Sequence, residues 1–534
     1  MIRRRAALTA TRYHRYGPPL TVVGPPDTLQ AFMGEQPYDL LIRGGIVIDG
    51  TGAPAAGADI AVREGRIAAV GDALGPAARV IEARGLTVAP GFIDAHAHDD
   101  AAVIVNPGMD FKVMQGVTTD IVGNCGVGMA PAGGAFQAFF QAGVGNVLGP
   151  APEITWRTFG EYMDAVEAVR PALNVACLVP HGVVRFAAMG LELRPPERHE
   201  LATMREHVQE AMEAGALGLS TGLIYPPGAF AQTPELVELA KAAAEVGGLY
   251  ATHIRDERSR LLDAVGEAID VGRRAGLPVQ ISHFKAAGRD NWGRTKDSLR
   301  LTEQARAEGV DVTFDAYPYT AASTLLWAVA HGMEAAEADA VMVAMVRERR
   351  EYEGKTLSQI AEMLGLPVAD ALGRVLQEER GAVAVIFDMD EADVRRVLKH
   401  ELCMIGSDGL PSEGGKPHPR LYGTFPRVLA RYVREEGLLT LEEGLHKMTG
   451  LPARRFGLEQ RGELKEGWCA DIVVFDPQVV ADTATYEEPR QYPRGIEYVV
   501  VNGQVVVEKG KQTGARPGWV LRRGQESIRV QREG

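Results

Sequence analysis

From Asp39 the chain alternates short apolar runs with turn residues. Leu40-Leu41-Ile42 leads through Gly44-Gly45 into Ile46-Val47-Ile48, and Asp49-Gly50 ends the run with a turn signal. Asp59–Val62 and Arg66–Val70 predict two more strands, and the far end of the chain answers with Asp471–Phe475 and Tyr498–Val507. Within the last of these, Asn502-Gly503 stands between β-branched runs, the signal of a type I′ hairpin. Strands at both ends around a different middle predict one small β-sandwich, assembled from residues 39–86 and 458–534.

The middle, residues 87–457, alternates apolar runs with helical stretches, the pattern of a parallel α/β sheet. Eight runs read as strands: Val88–Ile93, Val117–Val122, Asn174–Val179, Leu217–Leu219, Leu249–Thr252, Val279–Ser282, Val312–Phe314 and Met404–Gly406. Leu201–Ala214, Pro234–Val246, Leu261–Ala275 and Lys296–Glu308 carry helical periodicity. Gly215, Gly247 and Gly276 stand where the first residue past a helix falls.

The residues after the strands are polar. In order they are Asp94, His96 and His98, then Cys125, His181, Ser220, His253, His283, Asp315 and Asp408. Polar groups at the C-terminal ends of eight strands predict a (β/α)8 barrel with its active site on that face. A doubly wound open sheet would want a glycine-rich phosphate loop after its first strand, and none is there. The last two strands lie about 90 residues apart, far more than one helix needs. The insertion, at about 324–400, predicts a lid or specificity element, a decorative surface excursion being the alternative. The fold class is thus α/β: a barrel, a small sandwich and an inserted lid.

Composition narrows the function classes. An apolar share of 46 % and a charged share of 24 % are those of a globular protein, and no apolar run is long enough to span a membrane. A net charge of −13 disfavours a nucleic-acid surface but leaves room for a local basic pocket. Four cysteines without paired spacing, Cys125, Cys177, Cys403 and Cys469, predict reduced thiols and a cytoplasmic setting. Residues 1–38 carry Arg3-Arg4-Arg5 without a following apolar segment, so they read as a disordered extension with Met33 as the natural start.

His96 and His98 lie two apart at a strand end, so both project to one side, with Asp94 on the same face. Any single histidine is more often structural than a ligand. Here His96, His98, Cys125, His253 and His283 gather at one barrel mouth, and thiolate plus imidazole suits Zn²⁺. Cys177 and Cys403, inside or beside strands, read as core. Asp408 follows the last strand, which in a closed barrel lies beside the first. A carboxylate there can take a proton from an activated water and return it to a leaving nitrogen, although Asp-Gly by itself is a common turn.

These motifs resemble the amidohydrolase superfamily, and within it the N-acyl-D-amino-acid deacylases. Asp94-Ala95-His96-Ala97-His98 is general to the superfamily. More specific are Gly123-Asn124-Cys125-Gly126, Gly218–Gly228, Ser282-His283-Phe284-Lys285, Asp315–Tyr319 and His418-Pro419-Arg420. The resemblance implies a tight Zn²⁺ on Cys125, His253 and His283, and a weaker site on His96 and His98 that shares Cys125. It implies Asp408 as general base and acid, and Lys285, Tyr317, Ser323 and Arg420 as holders of the substrate carboxylate, with Tyr225 lining the same pocket and His181 given a pocket role. The expected substrate is a small N-acyl amino acid of D configuration, handled by a monomer or small homo-oligomer. Hydantoinase relatives place a carboxylated lysine after the fourth strand; Ser220 stands there instead. The alternatives are another amidase of the superfamily, a dipeptidase or cyclic-imide hydrolase, or a barrel scaffold without catalysis.

Overall fold

The computed structural model describes residues 37–133, 136–140, 145–330, 335–412 and 414–524. The expected extension falls almost wholly outside these residues, but Tyr38, assigned to it, is already in a strand. Both chain ends contribute to one nine-stranded sheet. Its order runs from Lys511–Gln512 through Gln504–Glu508, Ile496–Val501, Ile472–Phe475 and Thr87–Pro90 to Tyr38–Val47, Ala56–Arg63 and Arg66–Gly71. A strand that sequence reading missed, Ala77–Glu82, also pairs with Tyr38–Val47, in parallel. The long strand can serve several neighbours because its register shifts between Ile42 and Gly45. Residues up to Arg43 pair with Ala77–Glu82, whereas Ile46 and Val47 pair with Thr87 and Val88. Leu40, Ile42, Ile60, Val62, Ile81, Val88, Ile472 and Val500 pack as the core of this part. Asn502 and Gly503 both have positive φ, at 47° and 80°, as a type I′ turn requires.

Eight parallel strands form the barrel: β1 Phe92–Asp94, β2 Val117–Val122, β3 Asn174–Cys177 continued by Val179–Pro180, β4 Gly218–Gly222, β5 Leu249–His253, β6 Val279–Ile281, β7 Val312–Ala316 and β8 Cys403–Ile405. The ladders run β1-β2-β3 and β3-β4-β5-β6-β7-β8, meeting where β3 passes from one neighbour to the other. The seam closes where Ala95 N–H donates to Ile405 C=O at 3.2 Å and Asp408 N–H to His96 C=O at 2.8 Å. The first apolar run is therefore not one strand: it breaks at Gly91, and Thr87–Pro90 belongs to the terminal sheet. A side chain at Gly91 would stand 2.2 Å from Thr118, so the chain can turn from one sheet into the other only with glycine there. Ile93, Ile121, Ala176, Leu178, Leu217, Leu249, Ala251 and Met404 fill the barrel interior.

The insertion is shorter than its expected 324–400. Ala322–Leu325, Val341–Met345 and Val383–Ile386 make a three-stranded antiparallel sheet with its own core of Leu326, Val343, Tyr352, Ile360 and Val375. The helix Glu391–Lys399, placed in the insertion by spacing, instead packs against β7 and β8 as the barrel's own helix. Among the described residues no helix is long and apolar enough to cross a membrane.

Candidate active site

A cavity of about 320 Å³ opens at the C-terminal ends of the strands. His98, Cys125, His253, His283 and Asp408 line it, together with Tyr225, Lys285, Tyr317 and Ser323. Cys125 sits at the centre of the ligand cluster, with Sγ 3.4 Å from Nε2 of both His96 and His283. The His253 ring is 4.4 Å from that of His283, and neither of its nitrogens has a hydrogen-bond partner. Sequence reading divided these five residues into a tight and a weak site. In the structure Cys125 stands equally close to a histidine of each, and the possible ligand groups overlap: His96, Cys125 and His283 form one, His96, His98 and Asp408 a second, and His253, Glu257 and His283 a third. Burial alone would raise the Cys125 thiol; His96 and His283, with His253 close by, outweigh it and hold it well below its ordinary pKa. Cys403 has no such neighbours, and burial pushes its thiol up to about 12.

The backbone is strained where the chemistry sits. Cys125, His283 and Asp408 have φ of 53°, 36° and 49°, a region non-glycine residues seldom enter. Neighbouring glycine makes the Cys125 turn possible: a side chain on Gly222 would lie 1.9 Å from the Cys125 carbonyl. Ser220 braces the same turn, donating to Gly123 C=O and accepting from Gly126 N–H. Its hydroxyl thus points at backbone rather than into the cavity.

Asp94, read as facing a metal with the histidines, is turned toward backbone instead. Its Oδ1 accepts from His96 N–H at 3.1 Å and Ser407 N–H at 2.8 Å, tying β1 to the residue before Asp408. Its other oxygen meets Lys112, which also reaches Asp99 at 2.9 Å and Ser407 Oγ at 3.0 Å, all fully buried. Burial alone would strip the lysine of charge; Asp120, Asp94 and Asp99 outweigh it and raise its pKa. Lys112 was missed because Asp110-Phe111-Lys112 reads as solvated surface. Asp315 is a second brace, accepting from His283 N–H at 2.8 Å and lying 3.1 Å from His96 Nδ1.

Asp408 lies 3.1 Å from His98 Nε2 and 3.0 Å from Arg420 Nη1. Burial would raise this carboxyl; Arg420, then His98, His283 and His96, hold it well below the usual carboxylate range. Arg420 is itself fully buried, stacked 4.5 Å over Tyr317 and donating to Ser323 C=O at 3.0 Å. Its Nε and the Ser323 hydroxyl have no hydrogen-bond partner. Lys285 reaches His283 Nδ1 at 2.7 Å and pairs with Glu257, a cavity residue that sequence reading missed inside the charged run Arg255–Arg258. Tyr225 stands edge-on to His253 at 5.1 Å, its hydroxyl 2.7 Å from Thr324 Oγ1. His181 does not join them. It is fully buried away from the cavity, held at 2.9 Å by Glu235, which Arg185 also grips at 3.0 Å. The strand end that should have aimed it at the pocket turns directly into the helix His181–Met189.

A barrel with imidazoles, a cysteine and carboxylates converging on its C-terminal mouth defines a metal-dependent hydrolase of the amidohydrolase kind. Residues 79–507 match the amidohydrolase family, and the chain belongs to it. It is 44 % identical over 489 residues to the D-aminoacylase of Alcaligenes xylosoxydans xylosoxydans, covering 91 % of this chain and 98 % of that one. It is likewise 44 % identical over 493 residues to the N-acyl-D-glutamate deacylase of the same organism, covering 92 % and 97 %. Among solved structures, the N-acyl-D-glutamate deacylase of Bordetella bronchiseptica, complexed with zinc and a phosphonate inhibitor, superimposes with a TM-score of 0.83 at 42 % identity, covering 91 % of this chain and all of that one.

Proposed function

We propose that the chain is a zinc-dependent hydrolase that cleaves the amide of N-acyl-D-amino acids to a carboxylate and a free D-amino acid. The observation that carries this reading is the joint geometry of the cavity: a ligand cluster around Cys125, with Asp408 touching both His98 and Arg420. The residues suit the metal. A buried thiol held toward thiolate and the unpartnered nitrogens of His253 are a donor set for zinc rather than for magnesium or calcium. Cys125, His253 and His283 would hold the tight ion, and His96 and His98 a weaker one that shares Cys125. Zinc bound there would polarise the acyl carbonyl and make a water acidic enough to lose its proton near neutrality.

The protein's own groups do the rest. Asp408, kept ionised by Arg420, accepts the water proton as oxygen attacks the carbonyl carbon. It returns that proton to nitrogen as the C–N bond breaks, so one water is consumed and a carboxylate and an amine leave. Arg420, Tyr317, Ser323 and Lys285 receive the α-carboxylate, and Tyr225 walls the acyl side next to His253. The zinc-loaded protein should release amine from N-acetyl-D-leucine but not from its L enantiomer, chelation should abolish the reaction and zinc should restore it. Equal rates on both enantiomers, or activity indifferent to chelation, would reject the assignment.

A further inference from the structure

Resting on the deacylase reading, we propose that this chain accepts D-amino acids with neutral, apolar side chains and rejects those that carry a second carboxylate. Its overall similarity does not decide this, because it is 44 % identical both to a D-aminoacylase and to an N-acyl-D-glutamate deacylase. The decision lies in which cations around the cavity are free to take an anion.

Three cationic side chains line it, and a fourth, Arg420, lies behind the lining residues Asp408, Tyr317 and Ser323. Arg255 is committed outward, with Nε 2.9 Å and Nη2 3.0 Å from Glu267 and further bonds to the carbonyls of Ala229 and Ala231. Arg258 spans two carboxylates, Glu337 at 3.1 Å and Asp388 at 2.9 Å. Lys285 is shared between Glu257 and His283. Arg420 differs. It is fully buried, its Nε has no hydrogen-bond partner, the Ser323 hydroxyl beside it has none, and the Tyr317 hydroxyl meets only the Met389 sulfur, at 3.7 Å, among the contacts of the described residues. Unsatisfied buried donors therefore gather at one place, the one assigned to the α-carboxylate, whereas the outer arginines are already paired with carboxylates.

The remaining wall suits hydrocarbon. Val147, Ile224, Leu325, Trp327, Val329 and Leu410 line the cavity, and Trp327 stands edge-on to Tyr225 at 6.3 Å, one ring away from His253. Asp256, Glu257, Glu337 and Asp388 line it too, so its rim repels a second anion. A glutamate or aspartate side chain would have to enter the apolar wall unpaired. Otherwise it must displace Asp388 from Arg258 and leave a carboxylate that is 8 % exposed without its partner. Both outcomes leave a carboxylate without a partner, and the repulsive groups act as selectively as the attractive wall.

The test compares kcat/KM of the zinc-loaded full chain for N-acetyl-D-leucine, N-acetyl-D-glutamine and N-acetyl-D-glutamate. Leucine should exceed glutamate by at least about 100-fold, with glutamine well above glutamate because it keeps the shape and loses the charge. Asp388→Asn should narrow the leucine-to-glutamate ratio by at least about fivefold, because it frees Arg258. Glutamate within about tenfold of leucine, or above glutamine, would overturn the proposal. So would an Asp388→Asn protein of normal zinc content with an unchanged ratio. The wild-type series stands even if that variant does not fold. Failure to cleave any of the three compounds would instead reject the deacylase reading itself, and this proposal with it.

Discussion

Replacing Arg420 by alanine should damage substrate holding and chemistry together. The family resemblance separates the two roles, implying Asp408 for the proton and Arg420 for the carboxylate, with much of the loss from Arg420→Ala expected in KM. The structure couples them, because Nη1 of Arg420 stands 3.0 Å from Asp408 while the same guanidinium stacks on Tyr317 and bonds to the Ser323 carbonyl. Losing a charge-assisted bond to the substrate carboxylate costs about 1.5–3 kcal/mol. Removing one member of a buried ion pair costs about 3–5 kcal/mol, because the other charge stays buried. His98, 3.1 Å from Asp408, retains part of that second term. At about 1.4 kcal/mol per decade, kcat/KM on N-acetyl-D-leucine should fall about 10²- to 10⁴-fold, with kcat sharing in the loss. The assay is steady-state kinetics on that compound and on an N-acetyl amine of the same skeleton without the carboxylate. Wild type should handle the second compound poorly, yet the variant should still lower its kcat, since Asp408 has lost its cation. A variant that changes only KM for the amino acid, and leaves the plain amide at the wild-type rate, would refute the coupling.

Cys125→Ala should release zinc and activity together, with His96 and His283 left around an empty centre; full zinc content by elemental analysis would place the tight ion elsewhere. Lys112→Met strands Asp94, Asp99 and Asp120 without their cation, so it should destabilise the fold by about 3–5 kcal/mol, seen as a lower denaturation midpoint, and weaken the β1–β8 seam. A Lys112→Met protein with wild-type midpoint and kcat would show that Asp94 holds His96 and Ser407 unaided. Burial raises the Asp388 carboxyl to about 6, against the pull of Arg258, with Glu257 adding to the rise and Lys285 opposing it. Lowering the pH from about 7.5 to about 5.5 protonates that carboxyl and releases Arg258, so the leucine-to-glutamate ratio of kcat/KM should shrink. Effects common to both substrates cancel in the ratio, and one that stays flat across this range would exclude the mechanism.

The barrel was legible because its strands are buried on both faces and read as short, largely apolar runs between helical stretches, and because polar residues gather at their C-terminal ends. The ligand cluster was legible for the same reason. The network that holds it was not. Glu257 lies within Arg255–Arg258, a run that reads as solvated charge, and its partner Lys285 is on another loop. Asp94 shares the histidines' side of an ideal strand, but β1 ends at Asp94, and beyond it the carboxylate turns back to accept backbone N–H groups. Ala77–Glu82 escaped notice because it is mostly exposed, with only Ile81 buried, and so carries no apolar run. Its pairing with Tyr38–Val47 is set by the sheet rather than by its own composition.

The two sets of residues also come from different parts of the chain. Every ligand-type residue, and Asp408, lies at or just past the end of a barrel strand, where a closed hydrogen-bonded seam and buried braces fix the backbone even at positive φ. Ser323, Leu325 and Trp327, which finish the carboxylate pocket and its apolar wall, come instead from the strand and helix that open the insertion. That segment has its own apolar core, so its cavity-facing side chains can change without disturbing the strands that hold the ligands. The ligand-type residues thus sit on the barrel, whereas much of the apolar wall comes from the insertion, beside the charged loop after β5 whose Arg258 pairs with Asp388 and Glu337. A barrel fixed at its strand ends and variable in its loops is how one mechanism can serve substrates as unlike as leucine and glutamate derivatives. For this chain, substitutions in 322–330 should move substrate preference, whereas those at the strand ends should abolish the reaction.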